Sequence, residues 1–503
     1  MLKLDDAAGG IIVEQAIAAA YTRAEVRQLD RLAIESGIPG LSLMQRAGAA
    51  AFAVLHDRYP DCRSVLVVCG AGNNAGDGYV VATLARQAGL QVKVCALTAV
   101  QSLRGDAALA AQAWCEQGEV SDTLTDTDIA AADVIVDAIL GTGLQRDVEG
   151  DYLNAIRQLN QAAVLVLALD VPSGLDADTG KVLGAAVQAR QTVTFIGVKQ
   201  GLLTGAGPDQ TGELIFADLA VPTSIYESVK PSLQLLTDTL RNDCLPPRPR
   251  GSHKGRHGHV LIIGGDYGYL GAVCLAAQAA ARTGAGLVTV ASRESHTQSL
   301  ALQAPEIMSL AVEGSDDLSP TLERVSCIVI GPGLGQSAWA ATLLGRVLQC
   351  RQPLVVDADA LNLLAGEPAR AADWILTPHP GEAARLLACD IDAIQADRFA
   401  AVTNLQQQYG GVAVLKGAGT LIKGRTDDLT LCCAGNPGMG TGGMGDVLSG
   451  IIAGLLAQGL PPEQAAALGV YIHAVAADRV AEEGERGLLA GDLLPHIRRL
   501  VNP

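Results

Sequence analysis

Short β-branched runs alternate with alanine-rich helical stretches along most of this 503-residue chain, and many runs end on a glycine turn or an acid. This alternation constrains the fold most. A strand, a helix and a second strand in sequence close as a right-handed crossover between parallel neighbours. Val65–Cys69, Val92–Leu97, Val134–Asp137, Val164–Asp170, Thr192–Ile196 and Glu213–Phe216 are strand candidates of a first doubly wound α/β sheet. Val260–Ile263, Leu287–Ala291, Cys327–Ile330, Leu354–Asp357, Ile375–Thr377 and Val412–Lys416 predict a second α/β sheet. In parallel sheets the carboxyl ends of the strands face one crevice, so glycine turns and acids there are read as site residues.

The rhythm breaks between 222 and 257, where Pro222, Pro231, Pro246, Pro247 and Pro249 fall. From Arg241 to His259 the five basic residues Arg241, Arg248, Arg250, Lys254 and Arg256 outnumber one acid, Asp243. A boundary is expected at 225–235. It separates an N-terminal lead at 1–21 and a first domain at 22–229 from a second domain at 230–503. At roughly 150 residues per domain the length would allow three, but the motifs below fill two. Thr22, with Glu25 three residues on, caps a helix whose Val26, Leu29, Leu32 and Ala33 share a face. No repeat with a period of about 20–50 residues is present, so the chain is not a solenoid.

Composition narrows the function. The net charge is −17, which repels long nucleic acids, so no nucleic-acid partner is expected. No apolar run reaches the roughly 18 residues of a membrane span. Asp5 and Asp6 stand where a signal peptide is bare of acids. The expectation is a cytoplasmic protein with no membrane partner. The 11 cysteines form no Cys-x-x-Cys and read as free thiols. Glycine is in excess at 57 residues, against a usual share of about 7%, which fits loops whose backbone approaches a ligand. A surface rich in glycine and alanine also suits a homo-oligomer.

The strand at Val65 runs into Gly70-Ala71-Gly72-Asn73-Asn74-Ala75-Gly76-Asp77-Gly78-Tyr79, with a helix expected after it. Such a turn offers backbone N–H groups to an anion. It is a degenerate Rossmann-like fingerprint, but the acid about 20 residues on that grips a ribose is missing, which disfavours ordinary hydride transfer. Two later strand ends read Asp137-Ala138-Ile139-Leu140-Gly141-Thr142-Gly143 and Asp170-Val171-Pro172-Ser173-Gly174. Asn74, Asp77, Asp137, Asp170 and Ser173 are expected to converge, and hard oxygens of this kind suit a cation. A carboxylate poised in a partly dry crevice can act as an acid or base. Lys199 is expected to be solvated. These three motifs resemble the YjeF N-terminal domain, the NAD(P)H-hydrate epimerase family, over about 22–222. The resemblance implies that Asn73, Asn74, Ala75, Gly76 and Asp77 contact the hydrated nucleotide. It implies the same for Gly141, Thr142, Gly143, Leu144, Gln145, Arg146, Asp147 and Asp170. It further implies that Asn74, Asp137 and Ser173 hold potassium. Asp170 is the expected acid/base, with Asp137 kept ionised by the cation. Ala75 departs from the family's usual glycine.

In the second half, Asn436-Pro437-Gly438-Met439-Gly440-Thr441-Gly442-Gly443-Met444-Gly445-Asp446 leads into an apolar helix from Asp446 to Leu456. Glycine N–H groups there form an anion nest, and Asp446 can take a proton from a hydroxyl that attacks a terminal phosphate. Lys416-Gly417-Ala418-Gly419-Thr420, Gly331-Pro332-Gly333-Leu334-Gly335 and Thr377-Pro378-His379-Pro380-Gly381-Glu382 end three other strands. With Gly264-Gly265 and Tyr269-Leu270-Gly271-Ala272 they resemble the ribokinase-like fold and the ADP-dependent NAD(P)H-hydrate dehydratase family, over about 230–500. The resemblance implies that Ala272, Gly333, His379 and Asp446 contact the S-hydrate. Lys416, Gly417, Ala418, Gly419, Thr420 and Gly445 would contact the adenine nucleotide, with Asp446 as the base and magnesium on the phosphates. Glu382 is a candidate to support the metal. His253, His257 and His259 lack partnering ligands and are not expected to bind a metal.

The implied function is repair of NADHX and NADPHX: epimerisation of R and S hydrates, then dehydration of the S form with ADP as co-substrate, giving AMP and phosphate. A ribokinase-like hydroxyl kinase with a non-catalytic N-terminal nucleotide-binding domain stays open as the alternative. The residues alone leave ADP and ATP undecided.

Overall fold

The computed structural model describes residues 18–502. Most of the expected lead, with Asp5 and Asp6, lies outside the described residues. The chain divides into two compact units, one ending at Gln234 and the other beginning at Leu235.

The first unit is built on seven parallel strands: β1 Ser64–Cys69, β2 Gln91–Ala96, β3 Val120–Ser121, β4 Val134–Ala138, β5 Leu165–Leu169, β6 Gln191–Phe195 and β7 Glu213–Ala217. Their order is β3-β2-β1-β4-β5-β6-β7. Val65 and Val67 face one core with Leu29, Leu55 and Tyr79, while Leu66 and Val68 face another with Ile156 and Leu159. Both faces are covered, which is why these strands read as unbroken apolar runs. The order reverses between β1 and β4, and a crevice opens there at the carboxyl ends.

The glycine turn after β1 is shorter than expected. The helix begins at Asn73, directly after Gly72, rather than beyond Tyr79. Packing explains the early start. Ala75 and Tyr79, one turn apart, are both fully buried, and a Cβ at Gly76 or Gly78 would stand 2.5 Å from Met44 or Ala138. These glycines serve close packing of a helix, not loop flexibility. Ala75 sits inside the helix with its methyl in the core, so no special backbone angle is required of it.

The second unit has β8 His259–Ile263, β9 Leu287–Ser292, β10 Met308–Ala311, β11 Cys327–Ile330, β12 Leu354–Val356, β13 Trp374–Leu376, β14 Val412–Leu415, β15 Thr420–Lys423 and β16 Leu429–Cys432. Their order is β16-β15-β14-β13-β12-β11-β8-β9-β10. The strands β8 to β14 are parallel, and β15 and β16 continue the sheet in antiparallel pairing. That hairpin escaped the sequence reading because it carries no helix between its strands. Helix Leu270–Thr283 lies against helix Met444–Ala457 so closely that a Cβ at Gly450 would meet Ala276 O at 2.1 Å. This contact brings the helix with Ala272 beside the helix with Asp446.

Candidate active sites

In the first unit the carboxyl ends of β1, β4, β5 and β6 open on one cavity of about 690 Å³, a size suited to a nucleotide-like ligand. Asn73, Asn74 and Asp77 enter from the helix after β1, the stretch Gly141 to Arg146 from the loop after β4, Asp170 from β5 and Lys199 from beyond β6. Helix Arg23–Glu35 contributes Val26 and Asp30. Gly72, the N-cap, has no side chain to occupy the helix N-terminus, which leaves its N–H groups available to an anion.

Asp170 has φ +64°, a left-handed conformation that costs a non-glycine residue of order 1–3 kcal/mol. Its backbone N–H donates to Val193 O at 2.7 Å. Its carboxylate accepts from the Lys199 ammonium, from Thr194 Oγ1 at 3.4 Å and from Phe195 N at 3.3 Å. Lys199 is 1% exposed and also donates to Phe195 O at 2.8 Å. The expectation of a solvated Lys199 is therefore wrong. The chain beyond β6 turns the lysine inward, and the buried ammonium is held by the Asp170 carboxylate, Thr194 Oγ1 and Phe195 O. Burial pushes the Asp77 carboxyl well above the usual range, with Asp170 and Asp30 adding to it against Lys199. Burial pushes Asp30 up to about 6, against Lys199.

Beneath the cavity, Asp137 is fully buried. It accepts from Ser173 N at 2.8 Å, Ser173 Oγ at 2.6 Å and Ile139 N at 3.2 Å. Burial raises its carboxyl to about 6, with those donors opposing. Leu140 N donates to Ser173 Oγ at 2.8 Å, and Asn74 Nδ2 donates to Leu140 O at 3.0 Å. Asn74 Oδ1 is buried with no hydrogen-bond partner. Asn74, Asp137 and Ser173 thus meet around the Leu140 turn. Ala75 and Gly76 face the core instead of the cavity, and Asp147 is exposed outside it.

In the second unit the loops after β11, β12, β13 and β14 meet the start of helix Met444–Ala457. A Cβ on Gly333 would stand 2.7 Å from Tyr269 Cβ and 3.2 Å from Ala272 Cβ, so these three are neighbours. Lys416 Nζ lies 3.0 Å from Asp357 Oδ1 and 3.8 Å from Glu382 Oε2. Gly445 packs on this pair: a Cβ there would stand 3.2 Å from Lys416 Nζ. Asp446 follows in the first helical turn, and burial, then Asp357, push its carboxyl up to about 7 against Lys416. His379 caps helix Pro380–Leu386: its Nδ1 accepts from Gly381 N at 3.0 Å, and its Nε2 stands 3.3 Å from Glu382 Oε1. Burial, then Lys416, lowers its pKa. Gly417 and Ala418 are exposed, and Gly419 and Thr420 half-buried.

Sequence reasoning missed Asp30, Asp357 and Arg398. Asp30 lies one turn from Val26 and from Ile34, both cavity-lining, so an acid flanked at i±4 by apolar residues was its signal. Asp357 stands at a carboxyl strand end, the position that singled out Asp137 and Asp170. Arg398, buried, donates to Leu415 O at 3.3 Å and Lys416 O at 3.2 Å from below.

Two α/β units, each with titratable carboxyls and glycine loops gathered at carboxyl strand ends, define an enzyme acting on nucleotide-like ligands. The family described as NAD(P)H-hydrate dehydratase matches residues 260–499. The family described as YjeF-related protein N-terminus matches residues 40–201. The bifunctional NAD(P)H-hydrate repair enzyme Nnr of Coxiella burnetii is 52% identical over 485 residues, covering 96% of this chain and 99% of its own. The enzyme of the same name from Escherichia coli is 45% identical over 481 residues, covering 95% and 93%. Among solved structures, a ribokinase-like superfamily protein from Enterococcus faecalis is 32% identical. It covers 54% of this chain and 98% of that one, with a TM-score of 0.50. The chain belongs to the family of bifunctional NAD(P)H-hydrate repair enzymes. Among the described residues, no single helix is long and apolar enough to cross a membrane.

Proposed function

We propose that residues 22–229 epimerise the R and S hydrates of NADH and NADPH, and that residues 230–503 dehydrate the S form at the expense of ADP. One observation carries the reading. Asp446 follows Gly445, and Gly445 packs on Lys416, so a base and a nucleotide loop share one place.

In the first reaction the bound hydrate carries a hydroxyl on ring carbon 6, beside the ring nitrogen. Inverting that carbon requires a bond to it to break and re-form with proton transfer, and Asp170 is the acid/base. Lys199 holds the Asp170 carboxylate at the cavity wall. The donor set around Leu140 fits potassium: Asn74 Oδ1 is buried without a partner, and Asp137, Ser173 Oγ and Leu140 O add oxygens. Asn74, Asp137 and Ser173 would hold the ion, which would supply positive charge beside the substrate's anionic groups.

In the second reaction Asp446 takes the proton of the C6 hydroxyl, whose oxygen attacks the terminal phosphoryl group of ADP and releases AMP. Phosphate is a far better leaving group than hydroxide. It departs with electron push from the ring nitrogen, and loss of a proton from the neighbouring carbon restores NAD(P)H. Ala272, Gly333 and His379 line the substrate side. Lys416 to Thr420 and Gly445 take the nucleotide. Magnesium binds mainly through substrate phosphates; it would neutralise their charge, with Glu382 placed to hold one of its waters.

A cytoplasmic setting and a homo-oligomeric state belong to the same proposal. Eleven free cysteines support the first. Exposed apolar side chains such as Leu302 and Leu109 support the second. The test mixes S-hydrate with ADP, and separately with ATP, and follows reduced-nicotinamide absorbance and phosphate release. Phosphate appearing in step with absorbance supports the dehydratase. A stable phosphorylated product would favour a hydroxyl kinase instead.

A further inference from the structure

We propose that Asp357 is a positioning residue of the dehydratase site, tying the nucleotide loop at Lys416 to the helix that carries Asp446. The inference rests on the reading of Lys416 and Asp446 given above. Asp357 follows β12, and its side chain is 1% exposed. Its Oδ1 accepts from Lys416 Nζ at 3.0 Å and Thr377 Oγ1 at 2.8 Å, and its Oδ2 from Ser449 Oγ at 2.7 Å. The three donors belong to the loop after β14, the end of β13 and helix Met444–Ala457. A Cβ at Gly445 would stand 3.6 Å from Asp357 Oδ2, so the ion pair packs against the residue immediately before Asp446.

The backbone next to Asp357 is strained. Ala358 has φ +46°, a region that non-glycine residues enter at a cost and that clusters at functional sites. The following acid, Asp359, accepts from Gly335 N at 2.8 Å. One turn thus fastens the glycine loop after β11, the His379 loop, the Lys416 loop and the Asp446 helix.

The electrostatics run the same way. Burial alone would raise Asp357, but Lys416, Ser449 and Thr377 outweigh it and hold the carboxyl below its usual value. Burial alone would lower Lys416, but Asp357 and then Glu382 outweigh it and raise it. The charges that bear on Asp446 are Asp357, Lys416, Asp359 and Glu382. His473 and His379, which face Lys416 from other elements, are held low by burial and by that lysine, His473 at about 4. Asp357 is therefore both the anchor of Lys416 and a negative charge that raises the proton affinity of Asp446.

The experiment uses the full chain with purified S-hydrate and ADP. It compares wild type, Asp357→Asn and Ser449→Ala in kcat, KM for ADP and the acid limb of the kcat/KM pH profile. Asp446 acts ionised, so activity falls as pH drops through its pKa. Losing the Asp357 charge should move that limb to lower pH by about one unit and raise the ADP KM about tenfold. Ser449→Ala keeps the charge, so the limb should stay while the ADP KM rises about threefold. A folded Asp357→Asn variant with an unmoved limb and unmoved ADP KM overturns the proposal, as does one that loses only kcat. Should Asp357→Asn not fold, an unchanged ADP KM in Ser449→Ala overturns it alone. A wild type that restores no reduced nicotinamide with ADP or ATP sinks the underlying reading instead.

Discussion

Asp170 and Asp446 were legible because each stands where a residue's place in the chain predicts its place in a crevice. Asp170 ends a strand, and Asp446 follows a run of glycines into a helix. Lys199 was not legible as a partner of Asp170, because it lies 29 positions further on with no motif linking the two, and only the β5–β6 pairing brings them together. Asp170→Asn should slow R-to-S conversion about 100-fold or more and leave dehydration of purified S-hydrate unchanged; chromatography of the two epimers measures this. Asp30 supports a second prediction. Its folded carboxyl titrates near 6, above its free value of about 4. Its stabilising contribution is full below about pH 4 and is lost as pH rises through 6. Asp30→Asn should therefore raise the melting temperature at pH 8 by about 2–4 °C and change it little at pH 4. An equal shift at both pH values would show that the effect is packing.

Elements were legible wherever a strand alternates with a helix. The expected strands of both sheets appear with ends displaced by a residue or so, and the Thr22 capping box is present, with Thr22 N donating to Glu25 Oε2 at 2.7 Å. The glycine-rich helix start at Asn73 was misread as loop because glycine signals a turn and close packing alike, and only the positions of Met44 and Ala138 separate the two. Thr22→Ala should cost about 1 kcal/mol, readable in urea melts. Gly450→Ala tests how an element positions the second site. The added methyl would meet Ala276 O, so the helices bearing Ala272 and Asp446 must separate. The variant should lose about 1–3 kcal/mol and dehydrate more slowly, while epimerisation stays intact.

At the scale of the whole molecule, a chain of net charge −17 binds anionic nucleotides under this account through local features: helix N-termini, glycine N–H groups and single lysines, the buried Lys199 in one unit and the half-buried Lys416 in the other. Fusing the two activities follows from their chemistry, since only one epimer is consumed. The direct measurement supplies a chemically prepared mixture of both NADHX epimers with ADP and follows the absorbance of reduced nicotinamide to its end point. The account predicts complete recovery by the wild type, and recovery of the S portion with only a slow remainder by Asp170→Asn. A wild-type reaction that stops at the S portion would contradict it.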